Sequence, residues 1–335
     1  MADEPTVSVL MGVYNEEDFL SESIDSILAQ TVRDFEFLIV DDNSDDRSPE
    51  IIDSYDDDRI QVIQNETNQG LTVSLNRALK HAQGRYIARQ DADDISEPER
   101  LERQIQFLET HEQVAVVGTG ALLIDDENKV VDRRVGYCNP DFEDFIDKGH
   151  LIHGSIMARG SILEAVGGYD EFFRYAQDQD LWLRIAKDHP IANIPSSLYR
   201  HRIHDNSVYF SRKDESTMYG MLARDFINGK SDAEMKSYLE SEGVLAYYDE
   251  LSPERRSAFH RSLARRYLRS GHTAAALEEC RQARQYEPYD RSTLLMSGLA
   301  YTGPVATMAV RWGMRRYLNL KTRLSNQMHC PYQSD

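Results

Sequence analysis

The sequence has few cysteines and no long apolar segment. Its three cysteines, Cys138, Cys280 and Cys330, lie far apart without C-x-x-C spacing, which argues against a disulfide framework and against a zinc knuckle. The longest apolar run, at residues 114–124, is shorter than the roughly 18 residues of a membrane-spanning helix. The first residues lack the basic and apolar regions of a signal peptide. We therefore expect a soluble protein of the cytoplasm.

Positive charge is scarce in most of the chain. Asp and Glu outnumber Lys and Arg by 57 to 38, which gives a formal net charge of −19. Residues 1–254 carry 24 basic and 52 acidic side chains, whereas residues 255–335 carry 14 and 5. Because a negative field of this size repels nucleic acid, we expect no nucleic-acid partner. A strongly acidic, solvated surface accounts for most of the excess, but the basic C-terminal part needs its own explanation.

The first half of the sequence alternates short apolar runs with amphipathic segments. The runs predict strands at 6–13, 35–40, 60–63, 85–89 and 114–117, with helices between most of them. Strands separated by helices predict a largely parallel sheet that is covered on both faces. Ligands bind such sheets outside the carboxyl ends of the strands. The polar clusters that follow three of these strands, at residues 14–16, 41–42 and 91–94, should therefore converge.

Residues 213–335 have the pattern of helices without strands. Two of the predicted helices, at 253–270 and 272–286, form a hairpin hinged at Gly271. The hairpin resembles one tetratricopeptide unit, but repeat arrays need about three units, so we expect an appended hairpin. The sequence therefore predicts two domains, residues 1–212 and residues 213–335.

The last predicted helix, at 304–324, is basic and amphipathic, with Trp312 among its apolar residues. Such a helix can lie in a membrane interface that contains anionic lipid. It can also pack on the acidic first domain through its arginines. In the first case the protein would make peripheral contact with the inner face of the cell membrane.

Three carboxylates, Asp91, Asp93 and Asp94, follow the fourth predicted strand. Mg²⁺ and Mn²⁺ take oxygen ligands and commonly bind one or two carboxylates together with substrate phosphates. The D-x-D spacing therefore indicates a divalent-cation site. Helix capping is the alternative, although Ser96 is already available as the cap of the next helix.

A second acidic pair, Asp178 and Asp180, precedes a predicted helix at 181–187. Either carboxylate could cap that helix, and one could instead act as a general base held at the first turn. Further along, His201 and His204 lie among arginines. They form a surface loop, or His204 supplies a neutral imidazole to a metal.

These segments together resemble the family 2 inverting glycosyltransferases, whose nucleotide-sugar-binding fold is called GT-A. The resemblance implies an α/β, Rossmann-like mixed sheet with helices on both faces, followed here by a C-terminal helical extension. It also implies metal-assisted, inverting transfer of a sugar from a nucleotide-diphosphate donor, most often a UDP-sugar, to a hydroxyl of a glycan or lipid-linked acceptor. The matching motifs lie at residues 7–17, 27–31, 39–46, 68–71, 88–94, 167–171 and 178–184.

The resemblance further implies a nucleotide site with a bound cation. Asp42 would take the pyrimidine ring and Asp91 would lie near the ribose. Asp93 would bind Mn²⁺ or Mg²⁺ at the donor diphosphate, and His204 would add a metal or phosphate contact. The residues that it assigns to nucleotide binding are Val13, Tyr14, Glu16, Asp42, Asp91 and Ala92.

For the transfer step, the resemblance makes Asp178 the catalytic base. Two positions depart from the family pattern: Val13 replaces a frequent proline, and Gln177 replaces the usual glutamate before the base. Neither departure removes a required carboxylate, so we expect an active enzyme. The residues that should face the acceptor or the sugar are His153, Gly154, Gln177 and Trp182.

Two other functions are weaker alternatives. A non-catalytic protein that binds nucleotide sugars or glycans on the same fold would not need both Asp93 and Asp178. A nucleotidyltransferase usually has a glycine-rich, basic phosphate loop near the amino terminus, where residues 14–17 are acidic instead.

Overall fold

The computed structural model describes residues 4–135, 138, 151–203, 212–230 and 233–301. The chain divides into two compact units, a sheet unit whose described residues lie within 4–203 and a helical unit within 212–301. The predicted segment 304–324 and His204 lie outside the described residues. The predicted domain boundary after residue 212 stays a prediction.

The described part of the sheet unit contains nine strands in one sheet. They are β1 (Val7–Val13), β2 (Phe35–Asp41), β3 (Ile60–Gln64), β4 (Tyr86–Arg89), β5 (Ile95–Ser96), β6 (Val116–Ile124), β7 (Val130–Arg134), β8 (Met157–Arg159) and β9 (Ile191–Arg202). The helices that cover the sheet are α1 (Leu20–Leu28), α2 (Ser48–Asp53), α3 (Leu71–His81), α4 (Arg100–Thr110), α5 (Gly160–Ala165) and α6 (Gln177–Ala186), with a 3₁₀ turn at His153–Ser155.

The sheet combines a parallel half with a mixed half. Its strand order is β3-β2-β1-β4-β8-β6-β9-β5, with β7 also paired to β6. Strands β3, β2, β1 and β4 are parallel, whereas β8 runs antiparallel to both β4 and β6. Nearly every residue of β1 and β2 is buried, because helices pack on both faces of these strands. The sequence pattern therefore predicted these strands well. The sheet as a whole is mixed, as the family resemblance implies.

Two further predictions need correction. The strand predicted at 114–117 continues as β6 to Ile124, because Gly118 and Gly120 leave room for β9 and its neighbours to approach closely. Ser96 does not cap α4: it lies in β5, where its Oγ donates to Gln90 Oε1 at 2.6 Å.

The helical unit contains five described α-helices. They are α7 (Lys213–Asp225), α8 (Ala233–Glu242), α9 (Pro253–Arg269), α10 (Thr273–Tyr286) and α11 (Arg291–Tyr301). The predicted hairpin of α9 and α10 is present, and Gly271 between them has a φ of +78°. Cys280 is a buried free thiol in this unit. Within the described ranges, no helix is long and apolar enough to cross a membrane.

Candidate active site

The turn at residues 91–94, which we call the carboxylate turn, follows the carboxyl end of β4. Asp91 Oδ1 lies 2.7 Å from Nη2 of the buried Arg89, the last residue of that strand. The backbone N–H of Asp91 donates to the hydroxyl of Tyr199 at 3.2 Å. Burial alone would raise the pKa of Asp91, but the positive charges around it, led by Arg89, hold that pKa below its usual value. Asp91 is therefore a fixed, ionised carboxylate.

Asp94 is the most deeply buried carboxylate of the turn. Its Oδ2 lies 3.0 Å from His201 Nδ1, and its Oδ1 accepts the backbone N–H of Arg202 at 2.7 Å. Burial raises the pKa of Asp94 to about 6. The charges of Asp93 and Asp91 also raise this pKa, whereas His201 lowers it. Burial would lower the pKa of His201, but Asp94 outweighs it and raises that pKa. Asp94 therefore holds a proton more readily than an exposed carboxyl group does, first because it is buried and then because of the neighbouring negative charges.

Asp93 lies between these two carboxylates and is half-buried. Its backbone carbonyl accepts Arg202 Nε at 2.8 Å. Among the described residues, no group of three or more His, Cys, Asp or Glu side chains could hold a metal ion. The donor set therefore fits a divalent cation only if substrate oxygens complete its coordination, as is common for Mg²⁺.

The loop after β1 supplies the predicted nucleotide-pocket residues. Val13 is buried at the end of β1, Tyr14 is exposed and Glu16 is half-buried. Asn15 adopts a left-handed conformation, with a φ of +56°, and its Nδ2 donates to Asp45 Oδ1 at 2.6 Å. This hydrogen bond ties the loop after β1 to the loop after β2, so the two loops lie together at the carboxyl ends of their strands.

Asp42 is buried directly after β2. Its Oδ1 accepts Asn65 Nδ2 at 2.6 Å and the backbone N–H of Gln69 at 2.8 Å, while its Oδ2 accepts the backbone N–H of Gly70 at 2.7 Å. The backbone N–H of Asp42 donates to the Val13 carbonyl at 2.8 Å. Asp42 thus anchors the start of α3 to the carboxyl end of the sheet.

Helix α6 begins four residues earlier than predicted, so Asp178 lies in its first turn. Ala176, the residue before the helix, has a φ of +55°, a left-handed conformation that costs an alanine of order 1 kcal/mol. Gln177 is buried, and Asp178 is half-buried with its Oδ1 accepting the N–H of Gln179 at 2.8 Å. Asp180 is instead paired with Arg184 at 2.8 Å.

Three aromatic side chains connect the carboxylate turn with the start of α6. His153 Nε2 lies 2.8 Å from the Tyr169 hydroxyl, and the His153 ring lies edge-to-face against Trp182, with centroids 6.1 Å apart. Burial lowers the pKa of His153 and raises the pKa of Tyr169. The charges of both Asp91 and Asp178 act on each of these two groups. The two acidic segments therefore lie close enough for both of their charges to act on the same buried pair, His153 and Tyr169.

Gly154 packs closely against the carboxylate turn. Gly154 is buried, and a Cβ there would overlap with the Tyr199 hydroxyl and Asp91 Oδ2. The Ala92 side chain belongs to the hydrophobic core. Trp182 is also buried.

Several residues of the site were not predicted. Arg89 had a detectable signal, since a charged residue that ends a buried strand needs a partner nearby. For Tyr169, Tyr199 and Arg202 the partners could not be predicted, because those partners lie in other segments of the chain.

Comparisons with known proteins indicate the family of this chain. The sequence pattern described as Glycosyl transferase family 2 matches residues 8–167. The EpsE protein of Bacillus subtilis (strain 168), named as a glycosyltransferase, is 42% identical over 219 residues, which cover 64% of this chain and 78% of EpsE. The glycosyltransferase MJ1057 of Methanocaldococcus jannaschii is 38% identical over 225 residues, which cover 65% and 77%.

Solved structures show the same fold. S. aureus TarS 1–349 in complex with UDP-GlcNAc superposes with a TM-score of 0.57 at 17% identity, over 92% of each chain. The mannosyltransferase PcManGT from Pyrobaculum calidifontis, in complex with GDP-Man and Mn²⁺, gives a TM-score of 0.55 at 20% identity, over 92% of this chain and 87% of PcManGT. The predicted GT-A fold with C-terminal helices is confirmed. The chain is a glycosyltransferase and belongs to family 2.

Proposed function

We propose that this glycosyltransferase moves a hexosyl group from a UDP-sugar to a hydroxyl of a glycan or lipid-linked acceptor, with inversion at the anomeric carbon. The bond between that carbon and the diphosphate oxygen breaks while the acceptor oxygen forms a bond from the opposite face. Asp178 takes the acceptor proton, and UDP leaves with the electron pair of the broken bond. A base in this position contributes about 10²–10⁴-fold to the rate.

One observation carries this proposal: the carboxylate turn and the start of α6 both lie near the same two buried side chains, His153 and Tyr169. Asp91 and Asp178 are far apart in sequence, yet both charges act on His153 and on Tyr169. A donor held at the carboxylate turn would therefore have its sugar near Asp178. We propose that His153 and Gln177 line the sugar or acceptor side of the pocket, while Gly154 and Trp182 shape its wall.

The hydrogen bonds of Asp42 favour uracil over guanine. An ionised carboxylate has about four lone-pair positions. Asn65, Gln69 and Gly70 donate to three of them, which leaves one. Uracil presents one ring N–H to such a group, whereas guanine presents an N–H and an amino group along the same edge. The UDP-GlcNAc complex of TarS is consistent with this assignment, although PcManGT holds GDP-Man.

The carboxylate turn is the proposed cation site. Asp93 would hold Mn²⁺ or Mg²⁺ together with the donor diphosphate, and His204 is the proposed additional ligand. The cation would neutralise charge that develops on the leaving diphosphate. The Mn²⁺ in the PcManGT complex supports a cation in a protein of this fold. The remaining nucleotide contacts, at Val13, Tyr14, Glu16, Asp91 and Ala92, stay proposals of the same kind.

The cellular location is also a proposal. The acidic first domain and basic C-terminal segment are consistent with a cytoplasmic enzyme that contacts the inner face of the membrane through residues 304–324.

A panel of UDP-sugars and GDP-sugars, each with Mn²⁺ or with EDTA, tests the function. We expect calorimetry to show Mn²⁺-dependent binding of a UDP-sugar and weaker binding of GDP-sugars. We also expect slow hydrolysis of the bound donor, measured as released UDP. Asp93→Ala should lose the Mn²⁺-dependent part of the binding. Asp58→Ala, which removes an exposed carboxylate elsewhere on the sheet unit, is the control and should bind as the wild type does.

The products separate the alternatives. Release of pyrophosphate would indicate a nucleotidyltransferase. Binding without release of nucleoside diphosphate, even with an acceptor library, would indicate a binding protein.

A further inference from the structure

Arg202, the last residue of β9, has a fully buried side chain: 0% of its surface is exposed. It contacts the carboxylate turn twice. Its backbone N–H donates to Asp94 Oδ1 at 2.7 Å, and its Nε donates to the Asp93 carbonyl at 2.8 Å. One residue from the far end of the sheet thus fixes two consecutive residues of the turn.

The rest of the Arg202 guanidinium is tied to two other segments. Its Nη1 donates to the carbonyl of Asp125, in the turn between β6 and β7, at 3.0 Å. Its Nη2 donates to Glu22 Oε2 of α1 at 2.9 Å, and the guanidinium lies 4.1 Å from the centre of the Phe19 ring. The guanidinium therefore cannot shift without breaking contacts to three parts of the sheet unit.

We propose that Arg202 is a positioning residue for the cation carboxylate Asp93. By holding the Asp93 carbonyl it fixes the direction in which the adjacent side chain leaves the backbone, so that the carboxylate is preorganised for a divalent cation. This inference rests on the proposed function, because it takes Asp93 as the cation ligand. Residues that orient metal ligands typically change metal affinity by about 10–100-fold when mutated.

The shape of the guanidinium explains why arginine is needed here. Its donors are fixed in one plane and point in several directions, whereas a lysine ammonium is a single compact group. A lysine at 202 would keep the charge but could not reach Asp93, Asp125 and Glu22 together. Arg202→Lys should therefore behave more like Arg202→Gln than like the wild type.

A purely structural role is the competing explanation, because loss of a buried arginine also destabilises the fold. The two roles differ in what they predict for Mn²⁺. A structural role lowers the unfolding temperature but leaves the Mn²⁺ concentration for half-maximal UDP binding unchanged in the folded protein. A positioning role raises that concentration and leaves UDP binding in EDTA unchanged.

The experiment titrates Mn²⁺ against the full-length protein with UDP and follows binding by calorimetry and by the electron paramagnetic resonance of free Mn²⁺. We expect Arg202→Lys and Arg202→Gln to raise the half-maximal Mn²⁺ concentration by about 10-fold or more. Arg200→Gln is the matched control: Arg200 lies on the same strand, is 36% exposed and pairs with Glu97. The control should leave the Mn²⁺ dependence unchanged.

Glu22→Ala keeps the test decisive if the Arg202 variants do not fold. Glu22 is 48% exposed, so its loss leaves the core intact while removing the Nη2 partner of Arg202. We expect a smaller shift in the same direction. If Glu22→Ala and every folded Arg202 variant have wild-type Mn²⁺ dependence, the inference is wrong.

A double-mutant cycle with Asp93→Asn gives the final check. At the half-maximal Mn²⁺ concentration of the wild type, Arg202→Gln should weaken UDP binding when Asp93 is present and have no further effect once Asp93 is lost. An equal loss in both backgrounds would show that Arg202 acts independently of Asp93. If the wild type itself binds UDP without any Mn²⁺ dependence, the proposed cation site is wrong and this inference is wrong with it. If the wild type depends on Mn²⁺ and the Arg202 variants show the same dependence, only this inference is wrong.

Discussion

Two acidic segments of the sheet unit have the same D-x-D spacing but opposite surroundings. In the carboxylate turn, Asp91 pairs with Arg89 and Asp94 with His201, and the charge of Asp93 helps to raise the pKa of Asp94. At the start of α6, Asp180 pairs with Arg184 within the same helix.

Asp178 has a different environment from any carboxylate of the turn. Within the described residues, its carboxylate accepts one hydrogen bond, from the N–H of Gln179. The side chains near it are the His153 imidazole, whose pKa is lowered by burial, and the Tyr169 phenol, whose pKa is raised by burial. Both groups are therefore neutral near pH 7.

The difference suggests how one spacing can serve two kinds of chemistry. Carboxylates crowded together favour a cation, because each repels the others until positive charge arrives. A carboxylate among neutral groups favours a proton transfer, because no fixed cation competes for its lone pairs. We therefore expect charge-removing substitutions to have distinct effects at the two segments.

The largest effect is expected for Asp178→Asn. The amide keeps the size of the side chain but cannot accept the acceptor proton, so transfer should fall about 10³-fold. Donor binding with Mn²⁺ should stay within about twofold of the wild type, because the carboxylate turn is unchanged. Transfer is measured as UDP released in the presence of acceptor, and donor binding by calorimetry. Wild-type turnover by the variant would remove Asp178 as the base.

The sequence predicted the parallel half of the sheet because its strands are buried on both faces, which produces continuous apolar runs. It did not predict β9. This strand contains Pro195 and several polar residues, and the proline is accommodated where the pairing of β6 with β9 shifts register between Thr119 and Gly120. A register shift of this kind depends on the partner strand and leaves no local pattern.

The carboxylates of the site could be predicted because each follows a strand or begins a helix. Their partners could not. Asp94 accepts from the backbone N–H of Arg202, which is 108 residues away, and the Asp93 carbonyl accepts from the Arg202 guanidinium. Such pairs are set by how the sheet closes, so a single sequence identifies the acids but not the groups that orient them.

A second, smaller effect is expected in the pH dependence of folding stability. Burial raises the pKa of Asp94 to about 6, above the value of about 4 in an unfolded chain. A carboxyl group with a raised pKa in the folded state contributes stability that is present below about pH 4 and lost as the pH rises through about 6. Asp94→Asn removes this dependence. The stability of the wild type relative to the variant should therefore fall by of order 2 kcal/mol between pH 4 and pH 6.5.

Urea unfolding of both proteins in EDTA at several pH values measures this difference. His201, whose pKa Asp94 raises, changes stability with the same sign. If the stability of the wild type instead rose relative to that of the variant over this range, Asp94 would be held ionised in the folded protein. The carboxylate turn would then not differ from the start of α6 in the way proposed.

The smallest effect is expected for Asp180→Asn, the matched partner of Asp178→Asn. The Asp180 side chain is 7% exposed, and the amide would weaken its ion pair with Arg184. Arg184 also donates to the carbonyls of Val166 and Gly168, so it stays partly satisfied. We expect a loss of about 1–2 kcal/mol in the free energy of unfolding, measured with urea at pH 7.

Transfer per folded molecule should stay within about threefold of the wild type for Asp180→Asn. The reason is that Asp180 pairs with Arg184 of its own helix, and the position of Asp178 should not change. If the folded Asp180→Asn protein instead lost transfer as severely as Asp178→Asn, the two carboxylates would share the proton transfer, and the division between a structural and a reactive member of this pair would be wrong.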